Sequence, residues 1–87
     1  MPTALRIGPY RFFFYSNENK EPAHVHVRTS DSEAKFWLDP IKFVWNKGFN
    51  ERELGQILDH LRDNHQLLLN KWDEFFGEAK DDESEES

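Results

Sequence analysis

Pro22-Ala23-His24-Val25-His26-Val27-Arg28 alternates apolar and polar residues with period two. A strand sends successive side chains to opposite faces. Ala23, Val25 and Val27 therefore share one face, and His24, His26 and Arg28 share the other. Two imidazoles two positions apart on one strand face can share a metal, a phosphate or a proton-transfer task.

The flanking sequence extends this strand into a sheet. Gly8-Pro9 signals a turn, and Tyr10 to Ser16 follows as an aromatic run. Asn17 to Glu21 is a polar connection, ended by Pro22, which disfavours helix in the residue before it. Ser30-Asp31-Ser32 reads as a hairpin loop, and Glu33 to Asp39 alternates again. After Pro40, Ile41 to Trp45 forms a short last strand or extended segment. Short runs joined by tight polar loops predict an antiparallel meander of three to four strands. Its core face gathers Phe12, Phe14, Val25, Val27, Ala34, Phe36 and Leu38. The other face gathers Arg11, Phe13, Tyr15, His24, His26, Arg28, Lys35, Trp37 and Asp39. Rings and cations together are the material of a binding surface. A one-residue slip in any strand would scramble the assignment.

The second half predicts a helix. Asn50 is a good N-cap, Glu53 closes a capping box, and Phe49 can staple onto Leu54. Leu54, Ile57, Leu58, Leu61, Leu68, Trp72, Phe75 and Phe76 then recur at helical spacing, and Gly77 is a plausible stop. His65 fills the missing place on that stripe, as a buried or interface histidine rather than a ligand; His60 lies off it. Unbroken from Glu51 to Phe76, the helix would span about 40 Å, against roughly 20 Å for a sheet of short strands. Either it bends or breaks near Asp63-Asn64, both weak helix formers, or its far end projects. A projecting end bearing Leu67, Leu68, Trp72, Phe75 and Phe76 would need a partner, such as a second copy in a homodimer. The architecture is thus α+β, with the helix packed on one sheet face. Residues 1–77 form a single domain, and residues 78–87 form an acidic, solvated, disordered tail.

Composition bounds the chemistry. With 87 residues there is room for one core. Aromatics make up 15% of the chain and support that core despite a mean hydropathy of -0.88. The absence of cysteine excludes disulfides, thiolate metal sites and cysteine nucleophiles. Met1 to Gly8 lacks the apolar run of a signal peptide, and no stretch reaches the roughly 20 apolar residues of a membrane span. A cytoplasmic location without membrane contact is expected. The net charge of -6 is unevenly spread: residues 78–87 hold six acids and one lysine, while residues 1–47 carry +2. The acidic end reads as solvated, or as a mimic of nucleic acid that shields the basic half.

His24 and His26 are the candidate catalytic pair, with Arg11, Tyr15, Arg28, Lys35, Trp37 and Asp39 as binding residues. Two imidazoles do not make a zinc site, which takes three or four protein ligands, so neither a metal nor another cofactor is assigned. Cations beside flat rings suit single-stranded RNA, and Arg, Tyr and Trp equally suit a protein partner.

The chain resembles the domain of unknown function 4160 family of short bacterial proteins. The resemblance rests on Pro2-Thr-Ala-Leu-Arg-Ile-Gly8, Tyr10-Arg-Phe-Phe-Phe-Tyr-Ser-Asn17, Pro22-Ala-His-Val-His-Val27, Ala34-Lys-Phe-Trp-Leu-Asp-Pro40, Asn46-Lys-Gly-Phe49 and Lys71-Trp-Asp-Glu-Phe-Phe76. It covers nearly all of residues 2–76. Pro22-Ala23 stands where the family often has Pro-Pro. Members are often encoded beside a second small protein, which implies a two-gene module of toxin–antitoxin type. The resemblance therefore implies a protein partner from the neighbouring gene, or RNA, on the polar sheet face. The alternatives are a small metal-independent ribonuclease-type toxin, with His24 and His26 as base and acid, and a metal-binding protein.

Overall fold

A computed structural model describes residues 3–15 and 20–77. Among the described residues, five strands form one antiparallel sheet in simple sequential order: β1 (Thr3–Ile7), β2 (Tyr10–Phe13), β3 (His24–Arg28), β4 (Glu33–Leu38) and β5 (Ile41–Lys47). Two helices, α1 (Glu51–Asp63) and α2 (His65–Trp72), follow, and a wider π-type turn runs over Asp73–Gly77. The α+β meander is as expected, with one more strand than its upper count. The extra strand is β1, whose residues show no clean alternation. It pairs with β2 from Ile7↔Tyr10 outward. Gly8, at φ 55, opens that two-residue hairpin, a conformation glycine adopts without a Cβ penalty.

The predicted core face is correct. Phe12, Phe14, Val25, Val27, Ala34, Phe36 and Leu38 are all buried in one cluster with Ile57, Leu61, Leu68 and Trp72 from the helices. Helix α1 starts as its sequence dictates. The Asn50 side chain accepts from the Glu53 amide at 2.8 Å, and the Glu53 carboxylate accepts from the Asn50 amide at 2.9 Å. Phe49 is buried beside the cap.

The single long helix is corrected to two. The break falls at Asn64, whose φ of -120 and ψ of 24 leave helical geometry. Its side-chain amide donates to the His60 carbonyl at 2.9 Å, the local competition that makes asparagine a poor interior helix residue. Just past the break, His65 Nε2 donates to the Leu38 carbonyl and ties α2 to the end of β4. His60 packs its ring against Tyr10 and Phe12. Leu68 and Trp72 consequently reach the chain's own core, while Leu67 and Phe75 stay 39% and 40% exposed. The acid-rich segment 78–87 lies outside the described residues, as does Ser16 of the expected second strand.

One irregularity matters for the face opposite α1. Lys35 pairs with Trp45 and Phe36 with Phe43, so Val44 is an extra residue bulged out of the β4–β5 ladder. The bulge reverses the phase of the strand. Phe43 falls on the core side with Phe36, and Trp45 turns to the side that carries the histidines.

Candidate functional site: the imidazole face of the sheet

The register arranges this face in rows across the strands. Arg11, Arg28, Glu33 and Lys47 form one row; Phe13, His26, Lys35 and Trp45 form the next; His24, Trp37 and Lys42 form the third. His24 and His26 share the face as expected, with ring centroids 5.5 Å apart. The expected openness is absent. His24 is 0% exposed and His26 3%.

Rings cover the pair. His26 stacks on Phe13 at 5.6 Å, meets the edge of Tyr15 at 4.4 Å and lies 5.9 Å from Trp45. His24 sits between Trp37 at 5.7 Å and Trp72 at 5.0 Å. Because Trp72 also touches Phe14 at 5.4 Å, the end of α2 closes the sheet where β2 finishes and β3 begins. His24 Nδ1 donates to the Pro22 carbonyl at 2.9 Å, which ties the ring to its own loop.

Carboxylates hold the polar groups of this face together. The Glu33 Oε2 accepts from the Tyr15 hydroxyl at 3.0 Å and lies 3.4 Å from His26 Nδ1. The other oxygen stands 3.9 Å from Arg28 Nε. Glu21 reaches back over the sheet, accepting from Lys35 Nζ at 2.7 Å, with His24 Nδ1 3.7 Å away. Lys35 also lies over the Trp37 ring at 4.9 Å. Arg11 donates to the Thr3 hydroxyl at 2.8 Å and lies over the Phe13 ring at 5.0 Å. Each of the cations Arg11, Arg28 and Lys35 thus has an internal contact. Only Arg28, at 48% side-chain exposure, leans well into solvent.

Of the predicted site residues, Arg11, Tyr15, His24, His26, Arg28, Lys35 and Trp37 are brought together. Asp39 is not: it is exposed in the turn to β5, where the Asp39–Pro40 peptide is cis. Glu33, Glu21, Trp45 and Trp72 belong to the cluster and were not among the predicted site residues. A carboxylate diagonal to His26 was the available signal for Glu33. Nothing in the local sequence marks the bulge that turns Trp45 to the histidine side. Among the described residues, no group of three or more His, Cys, Asp or Glu could hold a metal ion. None of the described helices is long and apolar enough to cross a membrane.

The fold and face define a small α+β protein whose polar sheet side is closed by rings and carboxylates. The chain belongs to the family described as domain of unknown function (DUF4160), whose model matches residues 10–73. That match runs from the start of β2 past the end of α2 and includes every residue of the imidazole face named above except Thr3. No curated protein and no solved structure matches the chain.

Proposed function

We propose that this chain is the protein-binding member of a two-gene module of toxin–antitoxin type, and that it engages a small protein encoded beside it through the imidazole side of its sheet. The observation that carries this reading is the closure of the histidine pair. An acid–base pair working on a polymer must reach the scissile phosphate, and 0% and 3% exposure leave His24 and His26 no such access. Lys35, held by Glu21, and Arg28, beside Glu33, have carboxylates where a phosphate would sit. What that side offers outward is Trp45, Lys42, Lys47 and Arg28 around a half-buried Trp37. Exposed Trp and Arg over a rigid support are the residue types that dominate protein interfaces.

Co-expression of the tagged chain with its neighbour's product, followed by size-exclusion chromatography with light scattering, tests the proposal. A stoichiometric complex is expected. A chain that stays strictly monomeric and ignores its neighbour refutes it. A parallel arm compares growth and RNA integrity in cells expressing the wild type or the His24→Ala/His26→Ala double variant. Intact RNA in both cultures is expected. RNA degradation that needs the two imidazoles would establish the ribonuclease reading instead.

A further inference from the structure

On the protein-binding reading just given, the location and chemistry of the contact can be narrowed. We propose that the outer edge of β5 receives an extended, acidic segment of the partner as a sixth strand. Among the described residues β5, at seven residues, is the longest strand, ends the sheet and pairs with β4 alone. An unpaired edge presents a row of backbone N–H and C=O groups that an added strand can complete. The usable edge has a defined end. The Asn46 side chain donates to the Phe49 carbonyl at 2.9 Å and accepts from the Phe49 amide at 3.1 Å, turning the chain into α1 just past Lys47.

The side chains specify the occupant. Lys42, Phe43, Trp45 and Lys47 are the exposed residues of β5, and the strand contains no acid. Glu33 stands opposite Lys47 in the ladder, but its carboxylate is directed to Tyr15, His26 and Arg28. A second copy of this chain would bring lysines to lysines with no acid between them, an arrangement proteins use to block edge-to-edge self-association. An acidic strand gains from the same lysines.

The bulge at Val44 decides between a peptide and a nucleic acid. Phe43, 51% exposed, stacks edgewise on Phe36 at 5.9 Å on the core side of the sheet. Trp45, 36% exposed, lies 5.9 Å from His26 on the opposite side. Successive bases of a single strand stack on rings that share a platform. Rings on opposite faces suit a peptide strand, whose side chains alternate between faces and can meet Phe43 on one side and Trp45 on the other.

The test uses the full chain and hydrogen exchange with three probes: a ten-residue peptide alternating Glu with Val, its Lys-for-Glu counterpart, and a decauridylate RNA. The acidic peptide should slow exchange of the β5 amides at least about tenfold beyond the lysine peptide and leave the β1 edge unchanged. The exposed charge reversals Lys42→Glu and Lys47→Glu, combined, should abolish that protection and transfer it to the lysine peptide. The inference is overturned by an unprotected β5, by equal protection from both peptides, by protection at β1, or by protection from the RNA. Protection of β5 without a complex in the co-expression experiment supports the edge assignment and removes the module reading. A complex that forms equally well with the charge-reversed chain overturns the edge assignment and leaves the module reading standing.

Discussion

Removing the Glu33 carboxylate measures how firmly the imidazole face is held closed. Glu33→Ala deletes the acceptor of the 3.0 Å hydrogen bond from Tyr15, the carboxylate 3.4 Å from His26 Nδ1, and the ion pair at 3.9 Å to Arg28. A hydrogen bond to a charged group contributes roughly 1.5–3 kcal/mol. The Arg28 pair is half in solvent and adds only a few tenths of a kcal/mol. Glu33→Ala should therefore cost about 2 kcal/mol, and Glu33→Gln, which keeps an acceptor for the phenol, about half that. Urea denaturation of wild type, Tyr15→Phe, Glu33→Ala and the double variant forms a cycle that isolates the pair from every other contact of Tyr15. A coupling of about 1.5 kcal/mol is expected. A coupling below about 0.5 kcal/mol, with unchanged m-values, would refute the claim that Glu33 and Tyr15 together roof over His26.

Three further outcomes follow from particular contacts. Leu61→Ala empties a fully buried position between α1 and the sheet and should cost about 2–5 kcal/mol in urea; a loss under 1 kcal/mol would mean that α1 does not pack there. Burial, reinforced by the charge of Glu53 and opposed by Arg52, holds the Tyr10 phenol above its usual 10.0. Stability from this group is complete below pH 10 and is lost as pH rises through the folded-state value, because the unfolded chain releases the proton first. Alkaline titration of stability should show that decline in wild type and not in Tyr10→Phe, and identical curves would contradict it. Gly48 sits at φ 104 with the Ser32 Cα 3.3 Å from where a Cβ would lie. Gly48→Ala should thus cost on the order of 1–3 kcal/mol, only partly recovered by adding Ser32→Gly, as read from thermal midpoints.

Strand phase was legible because apolar residues in the first half alternate with little interruption, and each residue assigned to the core face is buried. The helix break was legible as an alternative because Asp63 and Asn64 are poor helix formers at the point where an unbroken helix would outrun its sheet. Alternation, however, reports only which side of a sheet a residue occupies. It does not report what covers that side. The ring-and-cation face read as open because nothing in the sequence shows Tyr15 folding over His26, Glu21 returning to Lys35, or Trp72 capping His24. The Val44 bulge was invisible for a related reason: one extra residue shifts the phase of Trp45 without any compositional mark. Strand β1 was missed because its five residues take their order from pairing with β2 rather than from a pattern of their own.

Reactivity toward diethyl pyrocarbonate, mapped by mass spectrometry, reports whether the histidine pair is sealed inside the molecule. His24 and His26 should react about a hundredfold more slowly in the folded chain than in urea, since modification must wait for opening. The half-buried His60 and His65 provide the internal comparison. Native-state modification of His24 and His26 at the rate of the urea-unfolded chain would place them on an open surface and contradict their burial.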